Sequence, residues 1–376
     1  MTRPLHVCHM LLSLEPGGLE NGVVNVVNGL DPAEFRSSVC CLRQVGEFAA
    51  RIRGATEIVA LGLRPGNDWR MPLELARLLR TLQVDIVHTR NAEPFFYGMV
   101  AARLAGVPVV IHSEHGRTFP EKPLRARAQR WLLSGASAAF CVSERLKEDL
   151  VRELGVSPEG FEVIHNGVDI ERFRSARCSG ERRPADAGVV IGSVGRLAAV
   201  KNYPLLLEAL ARLPALPPAR LLLVGEGAER PSLQALAAKL GLAGRVQFAG
   251  HRDDVPQALR EMDVFVLPST SEGMSNTLLE AMAAGVATVA SDAGGNSEII
   301  VPEVSGLLFP SADVAALAAQ LGRLIGDPAL RGRLARAAAA RVKVEFSIEA
   351  MIRRYEQLYQ RVWSQRHGES VSSTAH

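Results

Sequence analysis

Short runs of apolar residues alternate with longer amphipathic segments along the first half of the chain. The apolar runs are LHVCHM, SSVCCL, EIVAL, DIVHT, VVIHS and AAFCV, and residues 71–82 are typical of the helical segments between them. Continuous apolar runs are typical of strands buried on both faces of a sheet. Helical segments between such strands are typical of crossover connections. The first half is therefore predicted to form a parallel sheet with crossover helices.

The same alternation restarts in the second half, after a segment without apolar periodicity. That segment, residues 174–188, is rich in Arg, Ser, Pro and Asp. The runs VVIGSV, RLLLVG, RVQFAG, DVFVLP and VATVAS follow it, with helical segments such as 203–213 and 232–240 between them. A second α/β domain of the same kind is predicted.

These patterns divide the chain into predicted parts. We expect an N-terminal domain over 1–173, a linker over 174–188 and a second domain over 189–345. Residues 346–366 are predicted to form a C-terminal helix that packs back on the N-terminal domain. The polar residues 367–376 are predicted to be a disordered tail.

Composition excludes several other classes of protein. The 376 residues are 47% hydrophobic and 22% charged, which is typical of a soluble globular protein of two domains. The net charge of +3 argues against a dedicated nucleic-acid binder. No apolar run approaches the length of about 18 residues that predicts a membrane span. The opening MTRPLHVCHMLLSL is read as a first strand, not a signal peptide.

The cysteines indicate a reducing compartment. There are five, an odd number without metal-type spacing, and Cys8, Cys40, Cys41 and Cys141 lie in apolar runs, unlike Cys178. Such residues are expected to be reduced core thiols of a cytoplasmic protein.

Glycine-rich turns after the predicted strands are the candidate ligand sites, because ligands of open α/β sheets bind beyond the carboxyl ends of the strands. The first turn, EPGGLEN, contains Gly17 and Gly18 before a helix whose N–H groups suit an anion. It lacks the third glycine of GxGxxG, which argues against a nicotinamide dinucleotide and hydride transfer. A Gly pair at a helix start is also often only structural.

Two further turns carry charge or glycine in the second half. In GSVGRLAAVKN, the cations Arg196 and Lys201 lie within one short loop and suit a diphosphate. The alternative is a pair of solvated surface cations. In LVGEGAE, Gly225 and Glu226 belong to a GxG turn, a weak signal of nucleotide contact.

The strongest pattern is PSTSEGMSNTLLEAMAAG, residues 268–285. Glu272 falls in the loop after a strand, and Glu280 falls about a turn and a half into the helix predicted to begin near Ser275. Two carboxylates thus flank a helix start that can hold phosphate. Because a carboxylate accepts two hydrogen bonds from a vicinal diol, one can hold a ribose and the other a transferred sugar.

Together the motifs GGLE, SEHG, NGVD, GRLxxxKN and SEGxxxxxLEAMAAG resemble family 4 of the retaining glycosyltransferases over about residues 4–363. The resemblance implies the GT-B fold, an α/β architecture of two Rossmann-like domains facing a cleft, and transfer of a sugar from a nucleoside diphosphate without a cofactor. The finer pattern PGGLENGVVNVVN with EGMSNTLLEAM is most similar to sugar transferases of bacterial exosortase-associated exopolysaccharide systems.

The resemblance also implies residue roles. Arg196 and Lys201 would bind the diphosphate, Glu280 the ribose and Glu272 the donor sugar, and His115 would face the reacting sugar. Gly17 and Gly18 would lie near the phosphate and acceptor. The backbone N–H groups that complete the sugar and phosphate cradle would be those of Gly273, Met274, Ser275 and Asn276. The base would lie near residues 225–227 and 250–253, which include Gly225, Glu226 and His251.

Several mechanistic and functional alternatives remain at this stage. The chain has no D-x-D triplet, because Asp253 and Asp254 are adjacent, so a metal-held pyrophosphate is not suggested. The resemblance favours same-face substitution with Glu272 as a positioning residue, not a nucleophile. A nucleotide-sugar 2-epimerase and a non-catalytic nucleotide-sugar-binding protein are the competing hypotheses. The donor is expected to be of UDP or GDP type, and the acceptor a glycan or a lipid-linked glycan.

A basic segment follows His115. Residues 116–131 include Arg117, Lys122, Arg125, Arg127 and Arg130 against a single acid and end in Trp131. One interpretation is reversible contact with anionic lipid at the inner face of the membrane, and the other is a solvated basic helix face.

Overall fold

A computed structural model of the chain describes residues 3–116, 123–174, 188–214 and 219–368. The chain divides into two compact units. The first is Met1–Asn166 with Glu349–His376, and the second is Gly167–Ile348. The predicted linker at 174–188 and the predicted tail at 367–376 lie almost wholly outside the described residues, as does Cys178.

The first unit contains a parallel sheet of seven strands among its described residues, in the order β3-β2-β1-β4-β5-β6-β7. The strands are β1 Leu5–Ser13, β2 Phe35–Gln44, β3 Glu57–Ala60, β4 Ile86–Arg90, β5 Val109–Glu114, β6 Ala138–Cys141 and β7 Glu162–Val163. The order reverses direction between β1 and β4, as in dinucleotide-binding folds. The predicted parallel sheet of the first half is confirmed.

Helices cover both faces of this sheet because successive side chains of each strand point to opposite faces. The helices are α1 Gly18–Gly29, α2 Met71–Thr81, α3 Ala92–Ala105, α4 Pro123–Leu133 and α5 Glu144–Leu154. Cys8 and Met10 of β1 pack with α2 and α3 on one face, whereas Leu11 packs with Val23 and Val24 of α1 on the other. Cys8, Cys40, Cys41 and Cys141 are all buried and unpaired, as predicted.

The second unit repeats this architecture, with a parallel sheet of six strands among its described residues in the order β10-β9-β8-β11-β12-β13. Its strands are β8 Val189–Val194, β9 Ala219–Val224, β10 Val246–Gly250, β11 Val264–Leu267, β12 Ala287–Ser291 and β13 Leu307–Phe309. Its helices are α6 Ile170–Arg174, α7 Tyr203–Ala211, α8 Arg230–Lys239, α9 Val255–Arg260, α10 Asn276–Ala283, α11 Asn296–Ile299, α12 Val314–Gly326 and α13 Pro328–Glu345. The predicted second α/β domain is confirmed.

The last helix, α14 Ile348–His367, follows a break at Phe346 and Ser347 and belongs to the first unit from Glu349 onward. Its buried face carries Tyr355 and Tyr359. The Tyr355 ring lies 5.4 Å from that of Phe140, and the Tyr359 ring lies 5.9 Å from that of Phe35. The helix therefore completes the core beneath β2, β4 and β6.

Candidate functional site

In the second unit the strand order reverses between β8 and β11, and the loops after these two strands lie side by side. Ligands of open α/β sheets bind at such a reversal. The loop after β8 carries Arg196 and Lys201, and the loop after β11 carries Glu272. The Thr270 backbone N–H donates to the Val200 carbonyl at 2.9 Å and so joins the two loops.

Lys201 and Glu272 form an ion pair at this reversal. Lys201 Nζ donates to Glu272 Oε1 at 2.6 Å, and Ser269 Oγ donates to the same oxygen at 2.6 Å. The two charged side chains are only 21% and 12% exposed, so water screens the pair weakly. Among the described contacts both donors go to Oε1, which makes Oε2 the oxygen available to a ligand hydroxyl.

Backbone packing holds the Glu272 loop from the other side. Gly294 has a φ of 56°, and a Cβ placed on it would lie 1.7 Å from the Glu272 carbonyl oxygen. Ser291 Oγ donates to the Ser269 carbonyl at 2.6 Å, and Asn296 Nδ2 donates to the Ser291 carbonyl at 3.1 Å. The loop after β12 therefore supports the carboxylate through its backbone.

The predicted helix start next to Glu272 is α10. Ser275 is its N-cap, and its hydroxyl accepts from the Leu278 N–H at 3.3 Å. Met274 and Ser275 are buried, whereas Gly273, Asn276 and Glu280 are half-buried. The first N–H groups of a helix have no partner within the helix and carry partial positive charge. The helix start thus presents donors to an anion, close in sequence to both carboxylates.

Arg196 is the exposed cation of this region. Its side chain makes no ion pair within the described residues, in contrast to Lys201. A guanidinium of this kind can donate two hydrogen bonds to a phosphate without first losing a protein partner. The two cations predicted to act together therefore differ in environment, one exposed and one held by a carboxylate.

The segments predicted to lie near a base adjoin one another. The Gly225 N–H donates to the Gly250 carbonyl at 2.7 Å, and a Cβ on Gly225 would lie 2.0 Å from the Gly195 carbonyl oxygen. Gly225 therefore has a structural role as well, since only glycine permits this approach at its φ of 140°. Glu226 forms an ion pair with Arg230. His251 Nε2 lies 3.2 Å from Asp253 Oδ1, and its side chain is 58% exposed.

His115 belongs to the first unit, immediately after β5. Its backbone N–H donates to Asn91 Oδ1 at 2.9 Å, and its Nε2 lies 2.9 Å from Ser113 Oγ. Burial, with the positive charge of Arg90, lowers the pKa of His115 to about 3. The imidazole is therefore neutral at neutral pH, and it can donate one hydrogen bond and accept another.

Gly17 and Gly18 also lie in the first unit, at the start of α1. Gly17 is the N-cap with an extended φ of −169°, which any residue can adopt. A Cβ on Gly17 would come too close only to the flexible end of Glu20, since the Glu15 carbonyl oxygen would lie at an ordinary contact distance of 3.8 Å. Gly17 is therefore not required by the fold in the way that Gly225 and Gly294 are.

Two serine residues that support the site were not predicted from the sequence. Ser269 holds Glu272, and Ser113 contacts His115. Serine is common in loops and strands, so neither carries a signal by type. The spacing of Ser113 and His115, two residues apart at a strand end, is the pattern that indicates a shared face.

Comparison with known proteins identifies the family. Residues 16–172 match Glycosyltransferase Family 4, and residues 181–341 match Glycosyl transferases group 1. The chain is 35% identical over 370 residues to the lipopolysaccharide core biosynthesis glycosyltransferase LpsD of Rhizobium meliloti, with 95% of this chain and 98% of that protein covered. The chain belongs to glycosyltransferase family 4. The resemblance inferred from its motifs is confirmed at this level.

A second relative supports the family 4 assignment, and a solved structure supports the fold. The Escherichia coli UDP-Gal:alpha-D-GlcNAc-diphosphoundecaprenol alpha-1,3-galactosyltransferase is 32% identical over 279 residues, covering 70% of this chain and 72% of that protein. HepE from Anabaena, solved with UDP-glucose, superposes with a TM-score of 0.82 at 22% identity, covering 95% of this chain and all of that one. The predicted GT-B architecture of two Rossmann-like units is confirmed.

Membership of family 4 makes the activity glycosyl transfer from a nucleotide sugar, and the epimerase and binding-only alternatives are not favoured.

Among the helices that the structure describes, none has the length and hydrophobicity of a bilayer-spanning segment.

We expect Gly294→Ala to destabilise the protein by about 1 to 3 kcal/mol, because alanine is strained at positive φ and its methyl group would displace the Glu272 carbonyl. The matched control is Gly322→Ala in α12, where a Cβ meets nothing within 4 Å. That change should be neutral or stabilising by up to about 1 kcal/mol. Urea unfolding measures both, and equal stability of the two variants would contradict the proposed close approach.

Proposed function

We propose that this protein transfers a sugar from a nucleoside diphosphate sugar to a glycan or lipid-linked acceptor, with retention of anomeric configuration and without a metal ion. The observation that carries the proposal is the Lys201–Glu272 pair beside the start of α10, with Arg196 in the same loop as Lys201. Within this proposal the donor nucleotide is UDP and not GDP, since a UDP-sugar donor is named for the Escherichia coli relative and UDP-glucose for HepE.

The charges of the site suit a diphosphate. An ammonium has three donors, so Lys201 can keep its bond to Glu272 and still donate to a phosphate oxygen. Arg196 and the N–H groups of Gly273, Met274, Ser275 and Asn276 supply the remaining positive potential. These groups neutralise the leaving diphosphate as its charge develops, the role that a metal plays in other transferases.

The carboxylates have different roles in this proposal. Glu272 Oε2 accepts hydrogen bonds from donor-sugar hydroxyls, and Glu280 accepts from the ribose. The base lies against residues 225–227 and 250–253, with Glu226 and His251 at its edge. Gly17, Gly18 and His115 of the first unit serve the phosphate, the acceptor and the reacting sugar.

The chemistry proposed is same-face substitution. The bond from the anomeric carbon to the diphosphate oxygen breaks on the face where the acceptor oxygen forms its new bond, and the acceptor proton passes to the departing phosphate oxygen. In this proposal Glu272 positions the sugar, since Lys201 and Ser269 hold its Oε1 while Oε2 accepts from the sugar hydroxyls.

The proposed biological role is synthesis of exopolysaccharide or another cell-surface polysaccharide in the cytoplasm. The name of LpsD refers to lipopolysaccharide core biosynthesis, and the name of the Escherichia coli relative refers to an acceptor sugar on diphosphoundecaprenol. Both names support a glycan or lipid-linked acceptor. Similarity of the PGGLENGVVNVVN and EGMSNTLLEAM segments to exosortase-associated transferases supports the exopolysaccharide branch.

The function is tested with a panel of UDP- and GDP-sugars and undecaprenyl-diphosphate-linked acceptors, with EDTA present throughout. We expect a UDP-sugar to give product whose anomeric configuration, read by NMR, is the same as that of the donor. Product of inverted configuration would overturn the retaining mechanism. Turnover that EDTA abolishes and magnesium restores would overturn the metal-free proposal.

Variants of the donor site separate binding from turnover. Lys201→Met should weaken UDP binding by about 10- to 150-fold, the worth of one charged hydrogen bond, and Glu280→Gln should also weaken it. Glu272→Gln should leave UDP affinity near that of the wild type and lower kcat. Titration calorimetry with UDP measures these effects, with Lys239→Met of α8, an exposed lysine, as the control. Equal affinity of Lys201→Met and Lys239→Met would remove the diphosphate assignment.

The exposed surface of α4 supports the second proposal, reversible contact with anionic membrane. Its apolar side chains Leu124 and Trp131 are 80% and 65% exposed. Arg125, Arg127 and Arg130 of the same helix are also exposed. Arg103 of α3 lies over the Trp131 ring, 5.4 Å from its centroid. Arg117 and Lys122 lie outside the described residues.

Exposed aromatic residues next to cations are typical of interfacial membrane binding. We expect co-sedimentation with phosphatidylglycerol vesicles at low salt and release at high salt. Changing Arg125, Arg127 and Arg130 together to alanine should weaken binding roughly a hundredfold, at about 1 kcal/mol per cation. The triple alanine variant of Arg336, Arg353 and Arg354 removes the same charge elsewhere and should bind nearly as well as the wild type. Equal loss in both variants would contradict a specific surface.

A further inference from the structure

A buried chain of hydrogen bonds leads from the C-terminal helix to His115 within the first unit. Tyr359 Oη lies 2.7 Å from His88 Nδ1, and His88 Nε2 lies 3.0 Å from Ser113 Oγ. Ser113 Oγ in turn lies 2.9 Å from His115 Nε2. Tyr359, His88 and Ser113 are each 0% exposed, so water does not compete for these contacts. The chain joins α14, β4 and β5 to the residue after β5.

The imidazoles of His88 and His115, the two in this chain of hydrogen bonds, are both neutral. Burial and the charge of Arg90 lower the pKa of His88 and of His115 well below the ordinary value. Each ring therefore carries one proton, on one of its two nitrogens. The tautomer of each ring is then decided by the direction in which the hydrogen bonds run.

The Tyr359 hydroxyl decides that direction. Within the part of the chain that the structure describes, its hydrogen-bond partner is His88 Nδ1. A buried hydroxyl hydrogen without an acceptor is costly, so the Tyr359 hydroxyl donates to His88 Nδ1. His88 then donates through Nε2 to Ser113, and Ser113 donates to His115 Nε2. The competing acceptor of Ser113, the Thr89 carbonyl, lies farther away at 3.5 Å.

We propose that Tyr359, His88 and Ser113 are positioning residues that hold His115 as its Nδ1–H tautomer. The proton that His115 offers to a sugar hydroxyl is then the one on Nδ1, while Nε2 is occupied as an acceptor. The inference rests on the proposed function only for the role of His115; the tautomer itself follows from the first unit alone. The C-terminal helix thus contributes to the site through a hydroxyl that touches no substrate.

NMR of protein labelled with ¹⁵N in the histidine rings tests the proposal, because protonated and unprotonated ring nitrogens have well-separated ¹⁵N shifts. Loss of signals in His115→Gln and His88→Gln assigns the two rings. We expect His115 as Nδ1–H and His88 as Nε2–H in the wild type. Tyr359→Phe, which removes the donor at the head of the chain, should convert both rings to tautomer mixtures. His115 found as Nε2–H in the wild type would overturn the proposal.

Tyr355→Phe is the matched control. Tyr355 lies on the same helix and is 2% exposed, but no hydrogen bond joins it to His88 within the described residues. This variant should leave both tautomers as in the wild type. If Tyr359→Phe fails to fold, Ser113→Ala can replace it. This variant removes the last hydrogen bond, to His115, and should convert the His115 ring alone to a tautomer mixture. A His115 tautomer that is unchanged in both Tyr359→Phe and Ser113→Ala would contradict the proposed effect of the hydrogen-bond chain on His115.

Kinetics separate this inference from the proposed function. Tyr359→Phe should lower kcat about tenfold, the worth of one hydrogen bond, with the KM for donor little changed. Tautomers that shift as expected while His115→Ala transfers sugar at the wild-type rate would uphold the hydrogen-bond chain and overturn the role of His115. If the tautomers do not change in Tyr359→Phe and His115→Ala is inactive, the hydrogen-bond chain is overturned and the role of His115 is upheld.

Discussion

The contact on which the second unit's site depends is the bond from Lys201 to Glu272. It joins two loops that the reversal of strand order brings to one edge of the sheet. The carboxylate is held from below by Ser269 and from the side by the backbone at Gly294. A partly buried carboxylate without such partners would be costly, so the pair makes it possible to keep a negative group beside a helix start that attracts anions.

Much of the fold follows from the periodicity of the sequence. Buried strands such as β4, β5, β8 and β11 appear as continuous apolar runs, and both parallel sheets were predictable from them. The strands β7 and β13 contain two and three residues and show no periodicity of their own. They form because β6 and β12 offer an edge to pair with. That pairing depends on the tertiary structure and not on the local sequence.

The site was predictable by residue type but not by contact. Motif spacing names Lys201 and Glu272, yet nothing in the spacing reveals that one binds the other, because the contact depends on which strands are neighbours. Gly225 appears in sequence as a nucleotide signal, whereas the structure gives it a packing role against Gly195. His88 and Tyr359 appear as ordinary core residues, and only the docking of α14 joins them.

The two units hold their candidate site residues by different physical means, and the difference suits the groups each is proposed to meet. Lys201 and Glu272 hold each other as charged, partly exposed side chains, which is appropriate for a diphosphate that brings its own charge. His115 is held by the neutral side chains of Ser113 and Asn91, and the positive charge of Arg90 helps to keep its imidazole neutral. A neutral imidazole suits the contact proposed for His115 with a sugar hydroxyl, because protonation would remove the acceptor nitrogen to which Ser113 donates.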